Sequence, residues 1–440
     1  MPRIVILGGG FAGMYTARGL ERVFRNDPAV DITLISRNNY MVFTPLLPEV
    51  AGNSIGERHA VTPLRAFFCK THVHVAEITG IDLSGQEVHV TYADGHSDSI
   101  GYDYLVVGLG AVTNYHHIDG AVAMSYDLKS LDDAVRLRNH VLSMLELADV
   151  SPDPELRREM LTFVAAGGGY AGVEGLGQLV DFVEKALRYY PNLRREDLRF
   201  VLATRGKKML EQIDEKLGKY AVEVLQKRGV EVQMGVSVTD VTERCAVLSP
   251  GGPIPTRTVL WAAGVSVNPL VVALDLPKSK YGALLVEPTL QVVGHPNIFA
   301  LGDCAAVPKG DGETYAPTAQ NAMREATVAA NNLVAAIRGG KQRKFSYRPM
   351  GSLASLGHFQ AVAQIGGLPL KGFLAWFAWR TVYLFKLPEL SRKVRVAVDW
   401  TLDIMLPTNI VQMPVGSSDD LSCYMTPVAT TQSKQVASET

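Results

Sequence analysis

No two of the four cysteines in this 440-residue chain lie close together: they are Cys69, Cys245, Cys304 and Cys423. That spacing excludes a CxxC redox pair and the paired ligands of a zinc site, and so few thiols point to a reducing compartment. Charge of one sign is missing too. Lys and Arg number 43 against 44 Asp and Glu, a formal net charge of −1, so no overall field gathers nucleic acid. Long hydrophobic runs are also absent. No uninterrupted apolar stretch reaches the roughly 18 residues of a membrane span. The N-terminus runs into "RIVILGGG" with no basic segment, apolar core and cleavage site of a signal peptide. A chain of this length predicts two or three domains.

What is present is the same glycine turn twice, "GGGFAG" at 8–13 and "GGGYAG" at 167–172. Arg3 to Leu7, continuously apolar from Ile4, reads as a buried parallel strand. Gly8, Gly10 and Gly13 then fit G-x-G-x-x-G. Gly8 permits the tight turn, Gly10 leaves room for a pyrophosphate, and Gly13 lets a helix over 12–23 pack on the strand. The phosphates then sit on the helix N-terminal amides. The next strand, "DITLIS" at 31–36, completes a dinucleotide-binding unit. It ends in Ser36 and Arg37 rather than in the acid that usually meets the ribose.

Gly167, Gly169 and Gly172 repeat the logic between a strand over 161–166 and a helix reaching about 187. Glu174 lies early in that helix, where a carboxylate is also favoured simply by the dipole. The following strand, 198–205, ends at Thr204 and Arg205, with Lys207 and Lys208 beyond. A basic site without an acid suits a ribose 2′-phosphate; a solvated basic loop is the alternative. Two further strands end in glycine, "YDYLVVGLGA" at Gly110 and "TVLWAAGV" at Gly264. "NIFALGDCAAV" ends in Asp303, placed to accept from a sugar-alcohol hydroxyl or to cap a surface turn. "PTAQNAMREATVAANNLVAAIR" at 317–338 predicts a long helix with Pro317 at its first position.

These stretches, together with "NNYMVFTPLLPEVAG" at 38–52 and "PTAQNA", resemble the two-dinucleotide-binding-domain flavoproteins, and most of all the type II NADH:quinone dehydrogenases, over roughly 1–413. The resemblance implies an α/β fold of two Rossmann-like domains, the second inserted in the first. It implies an FAD-binding domain over 1–120 and 276–340, an NAD(P)H-binding domain over 158–275, and a C-terminal membrane-associating region over 341–413. The first turn would bind FAD, Asp303 its ribityl chain, and Thr44, Pro45, Ala319 and Gln320 would lie against the isoalloxazine. The second would bind NADH or NADPH, with Glu174 near the nicotinamide. The implied partner is a membrane quinone, and a homodimer is compatible with the family. This chain departs from the family pattern at Ser36, at Thr204, and where Met323, Arg324 and Glu325 stand in place of a second glutamine.

Near the C-terminus, residues 371–395 mix aromatics with six cations and one acid. An arginine, Arg380, breaks the apolar span, so the segment should lie on an anionic lipid interface rather than cross it. A core helix is the alternative. The expectation is a peripheral protein on the cytoplasmic face of the cell membrane that does not pump protons. Residues 414–440 read as a disordered tail. Three other functions share the motifs: a disulfide-type reductase, an iron–sulfur protein reductase with a soluble partner, and a flavin-bound NAD(P)H sensor with little turnover.

Overall fold

The computed structural model describes residues 1–413 apart from Asp311 and Pro349; the expected tail at 414–440, and with it Cys423, lies outside the described residues. The chain opens with β1 (Arg3–Leu7), α1 (Phe11–Phe24) and β2 (Asp31–Ser36). A short helix, α2 (Leu47–Ala51), precedes β3 (His72–Val75) and β4 (Tyr104–Val107). Between β3 and β4 an antiparallel three-stranded meander fills 77–101, as the alternating pattern predicts. Ile4 to Leu7 are all buried because helices cover a parallel sheet on both faces.

A short strand, β5 (Ala111–Thr113), leads out of this unit. A second sheet follows from β6 (Thr162–Ala166), α3 (Tyr170–Ala186), β7 (Arg199–Thr204), β8 (Val230–Met234) and β9 (Thr258–Trp261), in the spatial order β8–β7–β6–β9. The chain returns through β10 (Val265–Val267), which pairs antiparallel with β5. It then rejoins the first sheet as β11 (Gln291–Val292) and β12 (His295–Ala300), giving the six-strand order β11–β12–β4–β1–β2–β3. The second unit is therefore inserted in the first.

The long helix α4 (Ala319–Arg338) lies along α1. Their axes are close because Gly19 faces Ala330; a Cβ at Gly19 would lie 2.7 Å from that alanine's Cβ. Pro317 is not its first residue. Thr318 is the N-cap and accepts from the Asn321 amide at 3.3 Å, because a hydroxyl one position later satisfies an amide that proline cannot.

The last elements among the described residues are an antiparallel sheet, β13 (Gly351–Ser355), β14 (Ala361–Ile365) and β15 (Leu368–Lys371), and two helices, α5 (Gly372–Lys386) and α6 (Leu390–Met405). The aromatic segment divides by face. Trp376 and Trp379 are buried, while Phe373, Leu374, Phe377 and Phe385 are exposed. On α6 the exposed residues Leu390, Val394, Val398, Leu402 and Met405 recur at helical spacing. Arg380 does not belong to a surface charge cluster. Its guanidinium stacks over Trp376 at 4.1 Å and Trp400 at 4.9 Å. No helix among the described residues is long and apolar enough to cross a membrane.

Candidate dinucleotide sites

The two glycine turns share one steric pattern. At Gly8, φ is +99°, and a Cβ would lie 2.4 Å from the Gly108 carbonyl oxygen. At Gly13 a Cβ would lie 1.9 Å from the Gly8 oxygen, yet at Gly10 it would meet nothing within 4 Å. Gly167, with φ +122°, and Gly172 are closed by the Ala262 and Gly167 oxygens at 2.2 and 2.0 Å, while Gly169 is open. Each turn is therefore rigid at its outer glycines and bare at the middle one. Helices α1 and α3 both begin with no side-chain cap and no acid in the first turn. Bare N-terminal amides beside an open glycine form an anion cradle, and a pyrophosphate fits it.

Other elements converge on the first cradle. A Cβ on Gly9 would lie 2.4 Å from Ser36 Oγ, so the short side chain at the end of β2 packs on the turn itself. Arg37 is not held for a nucleotide; its guanidinium forks onto Glu77 at 2.6 and 2.7 Å. Gly302, beside Asp303, rests on Ala12 and Ala322, which brings β12 to the starts of α1 and α4. The Gly302 amide donates to the buried Glu325 at 2.8 Å. Burial raises the Asp303 carboxyl, and Lys129 partly offsets it. Thr44 and Pro45 form an exposed and a half-buried step of a 3-10 turn. Gln320 donates to the Gly351 carbonyl at 3.3 Å and accepts from Tyr347 at 3.4 Å.

At the second cradle Thr204 takes the place of Ser36: a Cβ on Gly168 would lie 2.9 Å from its Oγ1. Arg205 is exposed. The loop beyond is not free of acids. Lys208 is paired with Glu215 at 2.9 Å, and Glu211 folds back over Gly206. Gly110 and Gly264 sit at the crossing. Asn268 donates to the Gly110 carbonyl at 3.4 Å and Asn114 to that of Gly264 at 3.0 Å, which locks the two connecting strands side by side.

Glu174 lies in the second turn of α3 and faces the C-terminal unit, away from the helix end. Its Oε1 accepts from the Ser355 amide at 2.8 Å and from Trp379 Nε1 at 2.9 Å. Burial drives its carboxyl up to about 8, more than these two hydrogen bonds lower it. Around it lies a partly buried polar layer that sequence reasoning did not single out. Glu49 on α2 accepts from Trp400 Nε1 and is pushed by burial up to about 7, against the nearby Arg380 charge. Asp181 pairs with Arg228 and accepts from the His358 amide at 2.6 Å. Lys185 pairs with Asp403 at 2.9 Å. Glu49 stood in the "FTPLLPEVAG" stretch; the others are revealed only by partners distant in sequence, 47 residues away for Asp181 and Arg228 and 218 for Lys185 and Asp403.

Cys304 is buried, its thiol donates toward the Val107 and Leu301 carbonyls at 3.3 Å, and burial pushes it up to about 11. Such a thiol is not a nucleophile, which removes the one cysteine that the sequence motifs placed near a site, among the described residues.

The model of the pyridine nucleotide-disulphide oxidoreductase family matches residues 2–326, and that of the NDH2 C-terminal domain matches 350–406. The type II NADH:quinone oxidoreductase Ndh of Mycobacterium tuberculosis is 35% identical, over 92% of this chain and 88% of that protein. This chain belongs to the type II NADH:quinone oxidoreductase family. Demethylphylloquinone reductase NdbB of Synechocystis is 31% identical, over 91% of this chain and 95% of that protein. Among solved structures, NDH2 of Plasmodium falciparum in complex with NADH superposes with a TM-score of 0.86 at 22% identity, over 93% of this chain and 99% of that one. As a family member the chain is a flavoprotein oxidoreductase that uses FAD and NADH.

Proposed function

We propose that the chain reduces a lipid-soluble quinone with NADH at a membrane surface, without pumping protons. The observation that carries this reading is the pair of glycine cradles, each open at its middle glycine and each at an uncapped helix start. FAD, when bound, supplies the two-electron redox chemistry. The protein supplies placement.

Gly8, Gly10 and Gly13 hold the FAD pyrophosphate, Ser36 meets its ribose, and Asp303 its ribityl chain. Thr44, Pro45, Ala319 and Gln320 border the ring system. Gly167, Gly169 and Gly172 hold the NADH pyrophosphate. Glu174 supports that region from the C-terminal side, and Gly110 and Gly264 let the two units approach. The quinone enters beside Gln320. There α5 reaches the FAD side through Tyr383, whose ring meets Phe43 edge-on at 6.2 Å. The exposed apolar faces of α5 and α6 rest on anionic lipid on the cytoplasmic side, and Trp376, Trp379 and Arg380 form the inner face that keeps those helices in place.

Steady-state NADH oxidation, with and without a short-chain quinone, tests the reading. Fast oxidation that depends on quinone supports it. NADH oxidation indifferent to quinone, with electrons passing to a disulfide or an iron–sulfur protein, would overturn it.

A further inference from the structure

The end of β7 carries no acid, yet an acid is present there in space. Beyond Thr204 the chain loops out and returns. Leu210 takes a left-handed backbone, φ +53°, which costs a non-glycine residue on the order of 1 kcal/mol. That conformation brings the Leu210 amide onto the Gly168 carbonyl at 2.9 Å. The loop is thus pinned to the second glycine turn itself. The next residue, Glu211, is exposed and directed back across the loop. A Cβ on Gly206 would lie 2.8 Å from Glu211 Oε1 and 3.7 Å from Thr204 Oγ1. A carboxylate and a hydroxyl therefore flank one point at the strand end, beside the turn that holds the pyrophosphate.

The cations of the loop do not make the site basic. Lys208 is committed to Glu215, which also takes Lys219 at 3.0 Å. Between 205 and 215 three cations, Arg205, Lys207 and Lys208, meet three acids, Glu211, Asp214 and Glu215.

We propose that Glu211 reads the adenosine ribose of the nicotinamide cofactor, accepting from the 2′-hydroxyl of NADH and repelling the 2′-phosphate of NADPH. The acid usual at the end of the strand is supplied from the far side of a six-residue loop, at 205–210, with Thr204 as its small neighbour. An ionised carboxylate accepts a hydroxyl hydrogen bond with charge assistance and cannot share that space with a phosphate. The left-handed Leu210 is the device that places it. The proposal rests on the second turn being the NADH site.

The test uses the flavin-loaded enzyme and Glu211→Gln, with Glu211→Asp as the conservative control. The readouts are calorimetric binding of ADP-ribose and of 2′-phospho-ADP-ribose, and kcat/KM for NADH and NADPH. Wild type should favour NADH at least tenfold. Glu211→Gln should lower that ratio tenfold or more, chiefly through KM, and should tighten the 2′-phosphorylated ligand. Glu211→Asp should stay closer to wild type. An unchanged ratio and unchanged affinities in Glu211→Gln would overturn the proposal. Wild type that binds neither ADP-ribose ligand would instead overturn the assignment of the second turn, and the proposal with it.

Discussion

Trp379 Nε1 donates to Glu174 Oε1 across 2.9 Å, joining the outermost helix pair to the second glycine helix. The neighbouring Trp400 does the same to Glu49 on α2, and the two indoles lie 6.1 Å apart. Two buried carboxyls thus anchor the C-terminal helices to both dinucleotide units. Trp379→Phe keeps most of the volume and removes the donor. It should destabilise the protein by about 1–3 kcal/mol, the cost of leaving a buried acceptor short of a partner. Thermal unfolding of Trp379→Phe, Glu174→Gln and the double variant measures this. Fully additive losses would mean that the two side chains do not interact.

The same carboxyls predict a pH dependence. Their ordinary value is 4.5, and burial holds Glu174 at about 8 and Glu49 at about 7. Across that window the folded chain keeps protons that the unfolded chain releases, so stability falls as pH rises. The unfolding midpoint should decline from pH 6.5 to 8, above the range in which the buried His140 and the half-buried His358, lowered from 6.5 to about 4, oppose the trend. Glu174→Gln, neutral throughout, should decline less over that range. Parallel curves for wild type and variant would rule Glu174 out as the titrating group. Asp181, held at about 6, and Glu325, held at about 7, titrate in the same direction and remain in both proteins.

The glycines of the first turn should fail in two different ways. Space above Gly10 is open, so Gly10→Val should fold normally and lose FAD because the side chain takes the place of the pyrophosphate. A Cβ at Gly13 would stand 1.9 Å from the Gly8 oxygen, so Gly13→Ala should distort the turn and lower stability as well. Absorbance near 450 nm and circular dichroism separate the two. A yellow, fully loaded Gly10→Val protein would dismiss the cradle.

Membrane attachment should be more apolar than electrostatic. Phe373 and Phe377 are 56% and 59% exposed, whereas Arg380 stacks inward and Arg392 donates to the Arg58 carbonyl at 2.8 Å. Phe373→Ser/Phe377→Ser should reduce partitioning onto anionic vesicles tenfold or more, since each buried Phe is worth about 1.5–3 kcal/mol. High salt should release wild type only in part. Equal partitioning of the double variant and wild type would show that this face does not meet lipid.

Strands were the most legible part of the chain. Continuous apolar runs bounded by glycine gave β1 and β2 at their observed ends, because a parallel strand buried on both faces has no other pattern. The glycine spacing gave both cradles for an equally local reason. What stayed hidden depends on distance in sequence. Glu174 read as a nicotinamide neighbour or a helix-end acid, and its bond to Trp379 stayed hidden because nothing near it mentions that residue. Arg380 looked like a surface cation because Trp400, which takes it inward together with Trp376 one turn away, stands on the next helix. Thr204 and Arg205 read as a strand end without an acid because a strand-end reading stops before the loop returns with Glu211 beside Gly206.

The ribbon of β5 and β10 has a further consequence. Asn114 and Gly264 are one hydrogen bond apart at 3.0 Å, so the segment 115–263 that leaves and re-enters there begins and ends at one spot. Seen from the six-stranded sheet, a folded insert of that kind is equivalent to a tight hairpin loop. The pairing of β4 with β12, in which Leu105 meets Ile298, then carries a closure entropy set by roughly forty residues rather than by nearly two hundred. The second unit should accordingly gain hydrogen-exchange protection before the closing strands of the first, and a break in the chain within it should slow the assembly of a sheet to which it contributes no strand.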